Sequence, residues 1–399
     1  MKKLSRILIA GTMAAGLIAG LAACGGKQEP GRASHLKVGL ILLHPAASST
    51  YDKNFREAFE AAQKELGFQA VIKENIDEDD ICQTTAEEMA EQGCNVIFAD
   101  SFGHEDYMIA AAKNYPNTYF CHATGVKAAT ENLPNFFNAF ASIYEGRYLA
   151  GVTAGLKLKA LYGDGITDAQ AKIGYVGAHP YAEVKSGYTS FYLGVKSVVA
   201  KATMEVTFTG SWYDESKEKD AAEILINRHC TLISQHADSY GAPNACEQAR
   251  IPNVSYNGST LEQCPNTFLV SSKINWKPYY IHAIDCFLNG GGLEKDYVGS
   301  FATGSVELTP FSPNCAEGTE AYVNNVKQEL LNGTRHVFDV NTFTVGGAAP
   351  TEASVKPHPV FTFNPPEGTQ FLKNGYYNES VYRSAPSFDV DIDGITILG

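Results

Sequence analysis

From Leu36 onward the apolar positions fall into two spacings. Val38-Gly39-Leu40-Ile41-Leu42-Leu43 is an unbroken apolar run, the pattern of a strand covered on both faces. Phe55, Ala58, Phe59, Ala62 and Leu66 then recur at helical intervals, which predicts a helix over 54–67 stopped by Gly67. The alternation continues with strands over 69–76, 95–100 and 118–124 and helices over 80–92 and 105–114. Such a series calls for a parallel sheet with helices on both faces. It restarts with a small-residue-rich helix over 144–159, a strand over 172–177 and a helix over 182–199. Strands over 205–212, 230–237, 253–258 and 268–275 follow, with helices over 214–228, 242–250 and 279–289. The expected fold class is therefore α/β, with two doubly wound parallel-sheet lobes joined by a hinge near residues 138–143 and 268–275. The N-terminal lobe is expected to comprise residues 36–141 plus 273–300, and the C-terminal lobe 142–272 plus 301–345. Residues 346–399, richer in Pro and Gly, read as an irregular C-terminal extension with room for a few edge strands.

The first residues read as an address. Lys2, Lys3 and Arg6 precede the apolar stretch Ile7 to Ala22, which ends in Leu21-Ala22-Ala23-Cys24. Small residues before a cut are what a signal peptidase accepts, and Cys24 stands where a bacterial lipobox places its lipidated thiol. The expectation is a signal peptide over 1–23 and a flexible tether over 24–35, with the folded part held through lipidated Cys24 on the extracytoplasmic face of the cell membrane. The apolar run is short of the ~20 residues that span a bilayer. The formal charge is −13, and the first 23 residues hold three bases and no acid, so the remainder is more acidic still. Such a surface repels phosphate backbones and anionic lipid, which argues against a nucleic-acid partner. The eight cysteines after Cys24 show no C-x-x-C spacing, so zinc and redox motifs are not indicated. Pairings such as Cys230–Cys246 or Cys82–Cys94 stay open against free buried thiols.

Catalytic signatures are missing. There is no G-x-S-x-G elbow and no phosphate-binding G-x-x-x-x-G-K-[ST], and His104-Glu105 meets Met108 where a second zinc-binding His belongs. No metal and no cofactor is expected. Polar and aromatic residues instead gather where strands end, the place at which open α/β sheets bind ligands. Tyr51, Phe102, Trp212 and Trp276 are the candidate walls; Asp52, Ser101 and Asp238 are the candidate polar edge, with Asn54 and Asn138 as lesser members. Aromatics beside carboxylates and carboxamides suit a flat heteroaromatic ligand, stacked on its faces and hydrogen-bonded along its rim. The bland readings are a helix cap for Asp52 or Asp214, core packing for Trp212 or Trp276, a structural His236, and an inter-lobe or capping pair for Glu145 and Arg147.

Three stretches carry a family resemblance: Tyr51-Asp52-Lys53-Asn54-Phe55, Tyr144-Glu145-Gly146-Arg147-Tyr148-Leu149-Ala150-Gly151 and Lys172-Ile173-Gly174-Tyr175-Val176-Gly177, with Gly187 and Gly194-Val195-Lys196 after them. Over about residues 36–345 the chain resembles the basic membrane protein family of ABC-transporter substrate-binding lipoproteins, which includes bacterial purine nucleoside receptors. Ser101-Phe102-Gly103, Ser211-Trp212-Tyr213-Asp214, Ser234-Gln235-His236-Ala237-Asp238 and Trp276-Lys277-Pro278 are similar to the adenine-binding-like subgroup. Asn257-Gly258-Ser259-Thr260 lacks the Gly-x-Asp pattern that supplies a ribose-binding Asp in nucleoside-binding relatives. The resemblance implies a type I periplasmic-binding-protein fold and a non-enzymatic, monomeric receptor that passes a purine base or nucleoside to ABC permease subunits. The alternatives are an extracytoplasmic nucleoside-processing enzyme and a ligand-sensing subunit of a membrane receptor.

Overall fold

A computed structural model describes residues 30–357, 365 and 367–398. The signal peptide, Cys24 and the first part of the tether lie outside the described residues. The first lobe opens with β1 (Lys37–Ile41), α1 (Thr50–Leu66), β2 (Gln69–Lys73), α2 (Asp80–Glu91) and β3 (Val96–Ala99). α3 (Glu105–Asn114), β4 (Tyr119–Ala123), α4 (Ala128–Glu131) and β5 (Phe136–Ala141) follow. α1 starts four residues before the predicted position because Ser49 caps it, its hydroxyl accepting from the Asp52 N–H. It ends where Gly67 adopts a left-handed φ of 80° and its N–H reaches Gln63 O.

The chain then crosses into α5 (Ile143–Tyr162), β6 (Lys172–Gly177), α6 (Ala182–Val198), β7 (Thr203–Phe208) and α7 (Glu215–Asn227). β8 (Ile233–His236), α8 (Gly241–Ala249), β9 (Asn253–Tyr256) and β10 (Phe268–Ile274) complete the second run. α9 (Lys277–Leu288) and β11 (Asp296–Gly299) return to the first lobe, and β12 (Val306–Leu308) and α10 (Thr319–Leu331) to the second. A short antiparallel pair, β13 (Leu372–Lys373) and β14 (Tyr376–Tyr377), precedes β15 (Ile395–Ile397).

The first sheet runs β11-β5-β4-β3-β1-β2, every pair parallel. The second runs β12-β10-β9-β8-β6-β7-β15, parallel except where β12 meets β10. The two-lobed doubly wound α/β architecture read from the alternation is thus the fold. Among the described residues the chain crosses between the two sheets after β5, after β10 and after β11. The region near 138–143, read only as a joint, contains most of β5, and α10 was not anticipated. Within the stretch expected to be irregular, β15 adds an edge strand beside β7.

The small residues of α5 have a packing reason. A Cβ on Gly151 would stand 2.0 Å from Phe191 O, and one on Gly194 2.1 Å from Tyr148 O, so α5 and α6 touch backbone to backbone. The eight cysteines from Cys82 to Cys315 are all free thiols, so neither Cys230–Cys246 nor Cys82–Cys94 is a disulfide.

Candidate functional site

The carboxyl ends of β1, β3 and β4 face those of β7, β8 and β9 across a narrow chamber between the lobes. Tyr51, Asp52, Ser101 and Phe102 line it from the first lobe, and Trp212 and Asp238 from the second. The loop leading into α1 is fastened by Asp52, whose carboxylate accepts from the His44 N–H at 2.8 Å and the Ser49 hydroxyl at 2.5 Å. Asp52 therefore serves the helix start and the chamber wall together. Tyr51 donates its hydroxyl to Asp100 O at 2.7 Å, which fixes its ring. Burial, and then Asp52 beside it, push the Asp100 carboxyl well above the usual range. Ser101 spends its hydroxyl on Glu78, also bound by the Gly103 N–H at 2.8 Å, and this sets Phe102 at the rim.

On the opposite lobe the Trp212 indole is braced by His179, with ring centroids 5.0 Å apart, and by Tyr181 at 6.0 Å. Asp238 acts through both its parts. Its N–H reaches Trp212 O, while its carbonyl accepts from the Thr50 N–H at 3.0 Å and the Thr50 hydroxyl at 3.2 Å, closing one lobe on the other. Its carboxyl, deep in the chamber, is pushed well up by burial and by Glu218, Asp52 and Glu183, with Arg147 opposing.

Sequence reasoning missed Leu43, His44, Thr124, Glu183 and Tyr256, and passed over His236 as structural; all six line the chamber. Burial raises Glu183 to about 7 and, with Arg147, lowers His236 well below its ordinary value. The 3.4 Å approach of His236 Nε2 to Glu183 is therefore a contact with a neutral imidazole, not an ion pair. Thr124 holds a left-handed φ of 69°, which a β-branched residue adopts only under strain of the kind that collects at binding sites. Its hydroxyl, His236 Nδ1 and Tyr256 Oη are buried without a hydrogen-bond partner among the described residues.

Beneath Tyr256 lies Arg147, fully buried, its guanidinium carbon 3.4 Å from the ring centroid and one terminal nitrogen bonded to Gln235 O. Glu145 instead accepts from the Phe301 N–H at the third crossing, so the two do not pair as expected. Three sequence candidates stand outside the chamber lining. Trp276 is 2% exposed and stacks on Phe55 with centroids 4.3 Å apart. Asn54 donates to Ile274 O at the second crossing. Asn138 holds Ala128 N–H and Glu105 under the first sheet. Asp214 is the N-cap of α7, bonded to the Lys217 N–H at 3.0 Å.

A site of aromatic faces and buried polar atoms shared by two lobes is built to enclose a small molecule. Residues 36–338 match the family model Bmp, described as ABC transporter substrate-binding protein PnrA-like. A purine-binding protein of Brucella abortus is 31% identical over 306 residues, covering 75% of this chain and 83% of that protein. A putative ABC transporter glucose-binding protein of Haloferax volcanii is 30% identical over 257 residues, 64% of this chain and 62% of that one. Among solved structures, an ABC transporter solute-binding protein from Conexibacter woesei superposes with a TM-score of 0.60 at 19% identity, over 75% of this chain and 98% of that one. That likeness gives the fold, a type I periplasmic-binding-protein clamp, and these relatives are solute-binding proteins, not enzymes. The match across three quarters of its length makes the chain a member of the Bmp family of ABC-transporter substrate-binding proteins.

Proposed function

We propose that the protein captures a purine base or nucleoside between its lobes outside the cytoplasmic membrane and delivers it to the membrane subunits of an ABC importer. In this reading lipidated Cys24 anchors a monomer to the cell membrane. The observation that carries the ligand class is a lining that sets the aromatic side chains of Tyr51, Phe102 and Trp212 beside the polar ones of Thr124, Glu183 and Asp238. A flat, nitrogen-rich ring satisfies both kinds of wall at once, stacking on the aromatics and exchanging hydrogen bonds around its edge. Asp52, Glu183 and Asp238 add carboxyl groups that can hydrogen-bond ring nitrogens and exocyclic groups. The purine-binding description of the Brucella relative supports the same class.

Closure is the working motion. Contacts from both lobes favour the state in which Thr50 meets Asp238, and only a ligand that binds that state better can shift the population. The Haloferax relative favours a second reading, a sugar lying on the same aromatic faces. A thermal-shift panel of purine bases, nucleosides, hexoses and amino acids decides. A ligand at 100 times its dissociation constant adds about 2.7 kcal/mol of stability. Stabilisation by purines and by no hexose is the expected result; stabilisation by hexoses alone overturns it. Release of free base from inosine or adenosine would make the protein an enzyme instead.

A further inference from the structure

Three buried polar side chains behind the first lobe's wall converge on one loop. They are Glu105, which opens α3, Asn138 of β5 and His122 of β4, and none of them lines the chamber. The loop is 124–127, between β4 and α4. One Glu105 carboxylate oxygen accepts from the Val126 and Lys127 N–H groups, each at 2.7 Å, and from Asn138 Nδ2 at 3.1 Å. Asn138 Oδ1 accepts in turn from the Ala128 N–H at 2.7 Å. The N–H groups of residues 126, 127 and 128 are thus all held by these two side chains. Burial pushes the Glu105 carboxyl up, and the same donors pull it back.

The chain of bonds continues to a second part of the wall. Burial lowers His122 to about 4, so its ring is neutral. Its Nε2 donates to Ser101 O at 2.7 Å, which leaves Nδ1 to accept from Asn138 Nδ2 at 3.4 Å. Ser101, Phe102 and Thr124 all line the chamber. The loop pays for its place with strain, since Thr124 is left-handed at a φ of 69°. It also lies directly on the polar atoms. A Cβ on Gly125 would stand 2.3 Å from Glu105 Oε1 and 2.4 Å from both Asn138 Nδ2 and His122 Nδ1, so only glycine fits.

We infer that Glu105 and Asn138 are positioning residues for ligand binding: they hold the loop over 124–127 in the strained form that puts Thr124 on the chamber wall, and His122 ties that loop to Ser101 and Phe102. The choice of probe rests on the purine reading above. The test is titration calorimetry of the full chain with adenine and adenosine. The variants are Glu105→Ala, Glu105→Gln, Asn138→Ala, Gly125→Ala, Thr124→Ala and the combination of Glu105→Ala with Thr124→Ala. The expected result is a loss of at least tenfold in affinity for Glu105→Ala, Asn138→Ala and Gly125→Ala in every case that still unfolds cooperatively. Glu105→Gln keeps the accepting oxygen and should recover most of that loss. Because Glu105 acts through Thr124, the two single losses should not multiply in the combined variant. A residue that only supported the fold would lower the melting temperature and leave affinity alone. Parental affinity in the folded variants, full multiplication in the combined one, or a set in which none of the three folds overturns the inference and leaves the purine reading standing. A parent that ignores both compounds and binds glucose sinks the purine reading, and the same variants titrated with glucose then decide the inference by the same thresholds. A parent that binds none of the three sinks both.

Discussion

Replacing Trp212 by alanine is the sharpest test of the stacking walls. The indole meets His179 and Tyr181 and lines the chamber. An aromatic pair contributes about 0.5–1.5 kcal/mol beyond its area. One face is about a third of the area an indole can bury, so roughly 60 Å² at about 25 cal/mol/Å² adds about 1.5 kcal/mol. Together these give about 2–3 kcal/mol, a rise of roughly 30- to 150-fold in the dissociation constant. Because Trp212 is only half-buried, the variant should fold, with a melting temperature close to the parent's. Trp212→Phe keeps a ring against the ligand and should lose less than tenfold. Titration calorimetry with the best purine of the panel reads both. If Trp212→Ala binds as tightly as the parent, the indole is not a ligand wall and the stacking argument fails.

Two further outcomes follow from the packing and from buried charge. Gly151→Ala forces a methyl group into Phe191 O, so guanidinium unfolding should show a loss of about 2–3 kcal/mol or more; an unchanged midpoint would mean that α5 and α6 separate freely. Burial raises Glu218 to about 7, so between the ordinary value near 4.5 and about 7 the native state holds a proton that the unfolded chain has released. That contribution to stability is present at acid pH and lost as pH rises through about 7. His104 and His122, lowered by burial to about 4, act in the opposite sense as pH falls below their ordinary value, so the parent's profile mixes both. The readable quantity is the difference between Glu218→Gln and parent, which should move in the variant's favour from pH 5 to pH 8; a difference that stays flat refutes the shift.

Strand and helix alternation was legible wherever an element's apolar pattern stood alone. Glu105–Asn114 and Lys172–Gly177 fall where the spacing puts them. β5 was hidden because Phe136 to Ala141 runs through Ser142 straight into α5, leaving no turn signal to separate strand from crossing. α10 buries only Thr319, Val323 and Val326 and leaves the apolar Tyr322 and Leu331 exposed, so its apolar positions do not mark one buried face. β15 is three residues on a sheet edge with Ile397 well exposed, too short for any periodicity. At the site, strand ends located Tyr51, Phe102, Trp212 and Asp238, but not which way each residue turns. Trp276 follows β10 as they follow their strands, yet the start of α9 rotates it inward onto Phe55. Glu183 and Tyr256 were invisible for the converse reason: one lies in the first turn of a helix and the other at the last position of a strand, and only the facing lobe makes either a wall.

The double use of Asp238 has a thermodynamic consequence. Its carbonyl clasps Thr50, so the lobes cannot shut without carrying its carboxyl into the dry interior beside Glu183 and Asp52. Shutting on nothing strands acid groups away from water, whereas shutting on a donor-bearing guest supplies what they lost. On the proposed function, the clasp penalises idle closure through the residue proposed to meet the cargo, and a permease that senses shape alone would be told whether the carrier is loaded.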